Sequence, residues 1–240
     1  MTKKSLDIFF ENFFLDKWYM SLQKIFDINS QEMVGGELLL RVFDNDILAN
    51  SDYFPNAFYD SRFNELTLCI LKRVKSFLVE QPEKFPNYLS INIVPLNIKS
   101  DEIKNELLVI TKILKKINKK LAIEISEIFV KEDFQQFLPL AHQLREAGAL
   151  IGLDDYGATE IDIIELEFFP LDFVKLDRSY SINEKYLDSR FHKKMIKIAK
   201  DRGLMLIAEG VENKTLNILK SFGYNFVQGY IFHKPEKFIS

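Results

Sequence analysis

The sequence predicts an α/β barrel of the TIM type, (β/α)8, with one strand near the N-terminus running against the others. Two observations predict it. Short apolar runs alternate with helical periodicity from about residue 88 to 228, the signature of repeated β-α units. Before them come two strand-like runs separated by a short turn, 18–28 and 37–43, which suggest an antiparallel hairpin. A doubly wound sheet is the alternative arrangement of the same units.

The elements follow in order. Residues 1–15, rich in Phe, form an amphipathic lead-in helix. After the hairpin, residues 44–60 read as loop, with Pro55 and many Asn and Asp. Leu66, Ile70, Leu71, Val74 and Leu78 fall at helical spacing, which predicts a helix over 64–78. Pro82 and Pro86 interrupt the chain before a strand at 88–94. Then come helix 103–117, strand 121–125, helix 134–147, strand 150–153, helix 161–168, strand 173–176, helix 188–202, strand 204–208, helix 214–222 and strand 225–228. Gly148, Gly203 and Gly223 stand where helices should end. No linker or repeat divides the chain, so residues 1–240 are read as one domain.

Composition narrows the chemistry. The 240 residues contain 22 Phe and a single Cys, and the net charge is −3. One cysteine, Cys69, allows no internal disulfide and no cysteine metal cluster. Three scattered histidines make no zinc site. The acidic balance gives no general reason to bind DNA or RNA. No apolar run approaches a membrane span and no signal sequence is evident, so a cytoplasmic protein is expected. The run K-K-I-N-K-K at 115–120 reads as a solvated helix end, where cations suit the dipole.

The informative stretch is L-I-G-L-D-D-Y-G, residues 150–157. Four mostly apolar residues run directly into Asp154 and Asp155. Taken alone it could be an Asp-rich turn. The pattern recurs, however. Near the C-terminal ends of the parallel strands stand Asn92, Glu124 with Glu127, Asp154 with Asp155, Lys175 with Asp177, Glu209 with Glu212, and Gln228. In a barrel these ends converge on one mouth. So many carboxylates together require cations among them. Oxygen donors without His or Cys suit Mg²⁺, Mn²⁺ or Ca²⁺. Carboxylates around two such ions suit hydrolysis of a phosphate ester. Lys175 would be the one side-chain cation among these acids, placed to hold a water or a phosphoryl oxygen, or simply to form a salt bridge.

These residues carry a resemblance. The chain resembles the EAL domain family of cyclic di-GMP phosphodiesterases from about Leu22 to Pro235. The signature E-A-L-L-R stands here as E-L-L-L-R, beginning at Glu37. S-I-N-I-V surrounds Asn92. E-L-T-E becomes E-I-S-E, Glu124 to Glu127. D-D-F-G becomes D-D-Y-G, K-I-D becomes K-L-D at Lys175, and E-G-V-E at Glu209 and Q-G-Y at Gln228 are unchanged. Each motif alone is weak, but seven in order are specific.

The resemblance implies a TIM-like barrel with one antiparallel strand. It also implies hydrolysis of one phosphodiester of cyclic di-GMP to linear pGpG, with two Mg²⁺ or Mn²⁺ ions. By the same resemblance, Glu37, Asn92, Glu124 and Asp154 would hold one metal. Asp154, Asp155 and Glu209 would serve the second, with Glu212 in support. Lys175, Glu209, Asp155 and Glu37 would carry the chemistry, Lys175 by orienting the attacking water. Leu39, Arg41, Gln228 and Gln23 would contact the dinucleotide. Glu127 would anchor the loop after Asp155. Homodimerisation and control by a separate regulatory protein are further expectations of the resemblance.

The sequence departs from the family pattern in three places. Leu38 replaces Ala, on the face of the strand turned away from Glu37. The early Q-P is Gln23-Lys24. The family's G-T-G-Y-S-S after the paired aspartates is here Gly157-Ala158-Thr159-Glu160-Ile161-Asp162. This last change leaves a second expectation open: a cyclic di-GMP receptor, or an interaction domain, with little turnover.

Overall fold

The computed structural model describes residues 3–44, 47–49, 60–157, 169–187, 189–212 and 214–240. Eight strands close into a barrel, as the β-α repetition requires, and the doubly wound alternative is excluded. Helix α1 (Lys3–Phe14) leads in, followed by β1 (Trp18–Asp27) and β2 (Met33–Asp44). A short strand, β3 (Ile47–Ala49), adds to β2 outside the barrel. Then come α2 (Arg62–Glu80), β4 (Tyr88–Ile93), α3 (Asp101–Lys116), β5 (Lys120–Ser126), α4 (Glu127–Ala147) and β6 (Leu150–Tyr156). The chain continues with β7 (Phe173–Leu176), α5 (Arg178–Ile182), α6 (Glu184–Leu187), α7 (Arg190–Arg202), β8 (Met205–Ala208), α8 (Leu216–Phe222), β9 (Phe226–Val227) and β10 (Glu236–Ile239).

The barrel runs β1-β2-β4-β5-β6-β7-β8-β9 and returns to β1. β1 is antiparallel to both its barrel neighbours, β2 and β9, and every other barrel pairing is parallel. The antiparallel hairpin is thus the odd strand expected from the sequence. β10 pairs with β1 alongside β9 and has no counterpart among the predicted strands.

Strand alternation sorts side chains between two apolar regions. The larger contains Leu38, Leu89, Ile91, Ile123, Ile151 and Leu153 with helix residues such as Leu66, Leu71 and Val74. Leu38 therefore sits on the helix side, as its place opposite Glu37 predicts. The smaller fills the barrel lumen with Ile25, Ala122, Phe173 and Ile207, and with Tyr88, Leu150 and Phe226 at its border. The lumen is thus a packed floor, above which the polar residues stand.

Two glycines make room for that floor. A Cβ on Gly152 would lie 2.0 Å from Cζ of Phe173, and one on Gly35 would lie 2.3 Å from Cε1 of Tyr88. Elsewhere the glycines at the helix ends do as predicted. Gly148, Gly203 and Gly223 all take left-handed angles and cap α4, α7 and α8.

Several boundaries differ from the sequence reading. Helix α4 starts at Glu127, seven residues before the predicted position at 134. The strand predicted to end at Leu153 runs on to Tyr156 and includes both aspartates. Asp177 caps a short helix, its Oδ1 accepting from the Ser179 N–H at 2.8 Å, and this gives it a structural role. The predicted helix 161–168 and the divergent loop 158–162 lie outside the described residues.

Candidate active site

The barrel strands deliver a ring of polar side chains to one mouth. β2 supplies Glu37, β4 Asn92, β5 Glu124, β6 Asp154 and Asp155, and β7 Lys175. Glu209 follows β8 and Gln228 follows β9. Register aligns them: Asn92 pairs with Glu124, and Glu124 with Gly152 two residues below Asp154.

Lys175 is the centre of the ring. Its Nζ lies 3.0 Å from Glu37 Oε2, 2.8 Å from Glu124 Oε2, 3.0 Å from Asp154 Oδ1 and 2.6 Å from Glu209 Oε1. The residue is fully buried. A buried ammonium needs such partners, because desolvation alone would strip its proton. Burial lowers the Lys175 pKa, but the carboxylates of Asp154, Glu124, Glu209 and Glu37 outweigh it and hold it well above the usual value.

The acids respond unequally. Burial pushes Glu37 up, yet Lys175 and hydrogen bonds from Gln228, Lys175 and Asn92 bring it below the usual range. Asn92 Nδ2 donates to Glu37 Oε1 at 2.8 Å, and Gln228 Nε2 donates to Oε2 at 2.9 Å. Glu124 has less support. Burial, with the charges of Glu37 and Asp154, drives it up to about 8 against the pull of Lys175. Burial likewise raises Asp154, and raises Glu209 well above the usual carboxylate value.

Asp154 and Asp155 are adjacent, so plain alternation would send them to opposite faces. β6 avoids this with an irregularity. Leu153 pairs with Val174 and Tyr156 with Leu176, so three steps on β6 match two on β7. Asp155 takes φ +53° within this extra residue, in the left-handed region that Asp tolerates better than most. Both carboxylates then reach the mouth, Asp155 on its exposed lip.

Two groups of acids are close enough to share cations. Oxygens of Glu37, Glu124 and Asp154 lie within 4.8 Å of one another, as do those of Asp154, Asp155 and Glu209. Asp154 belongs to both. Glu124 Oε1 is buried and has no hydrogen-bond partner among the described residues. One lysine meets four carboxylates, all donors are oxygen, and a buried carboxylate oxygen stands free. The residues therefore fit hard divalent cations.

The other expected site residues fall around this core. Gln23 pairs with Glu37 across β1 and β2. Leu39 and Arg41 follow on β2, half-buried, and Arg41 Nη1 donates to the Leu40 carbonyl at 3.0 Å. Glu212 stands apart: its carboxylate pairs with Lys214 at 3.3 Å, and it joins neither acid group. Glu127 opens α4, and its side chain lies outside the described residues. The E-G-V-E and Q-G-Y segments are held together by their backbones. Val211 N–H donates to the Gln228 carbonyl at 3.2 Å, and a Cβ on Gly229 would lie 2.8 Å from the Val211 backbone. The sequence reading did not single out Tyr88 or Ser90. Both share the inward parity of Asn92, which is the signal that could have found them.

A barrel with an acid-rich, lysine-centred mouth at its strand C-termini defines a TIM-type fold whose oxygen donors fit hard cations. The EAL domain family model matches residues 10–235, and the chain belongs to that family. Cyclic di-GMP phosphodiesterase PdeA of Borreliella burgdorferi is 27% identical over 209 residues, 83% of this chain and 31% of that protein. Cyclic di-GMP phosphodiesterase PdeL of Escherichia coli is 23% identical over 252 residues, covering all of this chain and 68% of that protein. The chain spans less than half the length of PdeA and of the probable phosphodiesterase PdeN of Escherichia coli. Among solved structures, the EAL domain of Xanthomonas citri FimX, in complex with cyclic di-GMP, matches with a TM-score of 0.79 at 16% identity, over 99% of this chain and 97% of that one. That likeness establishes the shared fold.

No helix among the described residues is long and apolar enough to cross a membrane.

Proposed function

We propose that this chain is a metal-dependent phosphodiesterase that hydrolyses cyclic di-GMP to linear pGpG. The observation that carries the reading is Lys175, ion-paired with Glu37, Glu124, Asp154 and Glu209 between two acid groups that share Asp154. The naming of its relatives as cyclic di-GMP phosphodiesterases supports the substrate.

Glu37, Asn92, Glu124 and Asp154 would hold one divalent ion, and Asp154, Asp155 and Glu209 a second. Such ions, Mg²⁺ or Mn²⁺, offset phosphate charge and lower the pKa of a water. The protein's own groups do the rest. The Lys175 ammonium is fixed by its carboxylates and stays charged, so it can orient a water's lone pair without taking its proton. Arg41 offers a guanidinium fork to a phosphate oxygen from the adjoining stretch of β2. Leu39, Gln23 and Gln228 line the approach. In the reaction, water oxygen joins phosphorus, the bond from phosphorus to the 3′ oxygen breaks, and that oxygen leaves with a proton. One ring phosphodiester becomes a 5′ phosphate monoester.

The test is direct. Purified protein is incubated with cyclic di-GMP and Mn²⁺ or Mg²⁺, beside a chelator control, and linear pGpG is sought. Metal-dependent product is expected. No product, with cyclic di-GMP still bound in calorimetry, would overturn the enzyme reading in favour of a receptor.

A further inference from the structure

Three buried polar atoms in and below the acid ring have no hydrogen-bond partner among the described residues: the Tyr88 hydroxyl, the Ser90 hydroxyl and Gln228 Oε1. Ser90 is 0% exposed and Gln228 3%. Buried polar groups of this kind are normally satisfied, by protein or by ordered water. A lone unsatisfied atom could be an accident of packing. Three in one barrel lumen need a common explanation.

Their placement is consistent. Ser90 pairs with Glu37 across β4 and β2, and Tyr88 pairs with Gly35 two residues below. Tyr88 lays its ring over Gly35, in the space a Cβ would fill. Gly35 in turn pairs with Ile25 of β1, and the next residue of β1, Phe26, pairs with Val227 of β9. The Tyr88 ring thus leans toward the seam from which Gln228 emerges, with its centroid 6.4 Å from that of Phe226. Gln228 uses its Nε2 on Glu37, so its Oε1 must accept from something else.

The chemistry is complementary. Two hydroxyls can donate or accept, and one amide oxygen can only accept. A water has two donors and two acceptors, and buried waters take two to four such partners. Burial, and then the charge of Glu124, push the Tyr88 hydroxyl far up, so it remains a neutral hydroxyl.

We propose that Tyr88 and Ser90 are positioning residues for Glu37, acting through a buried bridging water and the Gln228 amide. The water donates to Gln228 Oε1 and bonds both hydroxyls. This fixes the amide with its Nε2 toward Glu37 Oε2. It thereby sets which face of the Glu37 carboxylate is left for a cation. The inference rests on the phosphodiesterase reading only in taking Glu37 as a metal-holding group.

The test uses the whole chain and Mn²⁺ alone. Tyr88→Phe should bind Mn²⁺ about tenfold more weakly in calorimetry, the loss typical when the support of a metal ligand is removed. In a Gln228→Ala background the same change should have no further effect, because the link to Glu37 is already cut. A crystal structure of the unsubstituted protein should show one ordered water within hydrogen-bond distance of all three atoms. A purely structural tyrosine would shift the melting temperature and leave Mn²⁺ affinity alone. Unchanged affinity, an additive effect with Gln228→Ala, or a well-resolved lumen without that water would each overturn the proposal. Should Tyr88→Phe not fold, Ser90→Ala carries the same expectation. Should the unsubstituted protein bind no Mn²⁺, the phosphodiesterase reading falls, and the lumen water alone decides this inference.

Discussion

The Nζ of Lys175 lies 2.6 Å from Oε1 of Glu209, the shortest of its four ion pairs, in a residue with no exposed surface. Both side chains are bound to a place that only the closed barrel creates. Lys175 comes from β7, and its partners come from β2, β5, β6 and the end of β8. The ammonium therefore ties four strands of the barrel mouth to β7. Replacing it with a neutral side chain leaves several buried carboxylates without their shared cation. Lys175→Met should cost about 3–5 kcal/mol of stability in the presence of chelator, the usual penalty for breaking a buried pair from one side. Urea unfolding measures it. Mn²⁺ should restore more stability to this variant than to the unsubstituted protein. A variant as stable as the parent in chelator would show that the four pairs are not formed in solution.

Glu37 tests the chemistry with less disturbance. Its oxygens accept from Asn92, Gln228 and Lys175. Glu37→Gln keeps the shape but retains one acceptor oxygen in place of two and removes the charge. The fold should persist, as judged by circular dichroism, while cyclic di-GMP hydrolysis falls by orders of magnitude. Undiminished turnover would sink the site assignment.

The acid ring also predicts how stability depends on pH. Glu124 is raised from the usual 4.5 to about 8. A carboxyl raised on folding binds its proton more tightly in the folded state. Its contribution to stability is fully present below about pH 4.5 and is lost as pH rises through about 8. Glu209 and Asp154 are raised as well and act in the same sense. Glu37 is depressed, so its contribution is lost on acidification below 4.5, outside this window. His192 and His233 are lowered, chiefly by burial, and add stability as pH rises to about 6.5. In chelator, the melting temperature should therefore fall between pH 7 and 8.5, where only the raised acids act. With saturating Mn²⁺ the slope should flatten or reverse, because the cation replaces the protons. A melting temperature that rises from pH 7 to 8.5 in chelator would contradict the raised acids.

Much of this was legible in the sequence, and the rest was hidden for physical reasons. Helix ends at Gly148, Gly203 and Gly223 were readable because left-handed backbone favours glycine. The order of strands was readable because buried parallel strands leave apolar runs. The continuation of β6 through Asp154 and Asp155 was not. Hydrophobic patterning treats charge as the end of a strand, whereas here the charge is buried against Lys175, and an extra residue turns both carboxylates to one face. β10 was missed because Glu236 and Lys237 are exposed and Pro235 precedes them, so the segment carries no strand pattern. Tyr88 was readable only as part of a strand. That its hydroxyl enters the lumen depends on Gly35, a residue far away in sequence.

Gly152 shows how the floor of the barrel positions the site. It faces inward two residues below Asp154, and the ring of Phe173 fills the space its side chain would need. Phe173 is itself two residues below Lys175, so the ring supports the strand that delivers the ammonium. A Cβ at 2.0 Å from Cζ of Phe173 cannot be accommodated without displacing that ring. The ring has little room to yield, since Phe173 is 1% exposed and packs with Ile25, Ala122 and Ile207. Gly152→Ala should therefore destabilise the protein by about 1–3 kcal/mol, the range for overpacking a close-packed core. Phe173→Leu in the same chain should recover part of the loss, because a smaller side chain vacates the contested volume. Thermal unfolding of the two single variants and the double variant gives the coupling directly. Additive losses would mean that the strain lies in the backbone of β6 and not in the contact with Phe173.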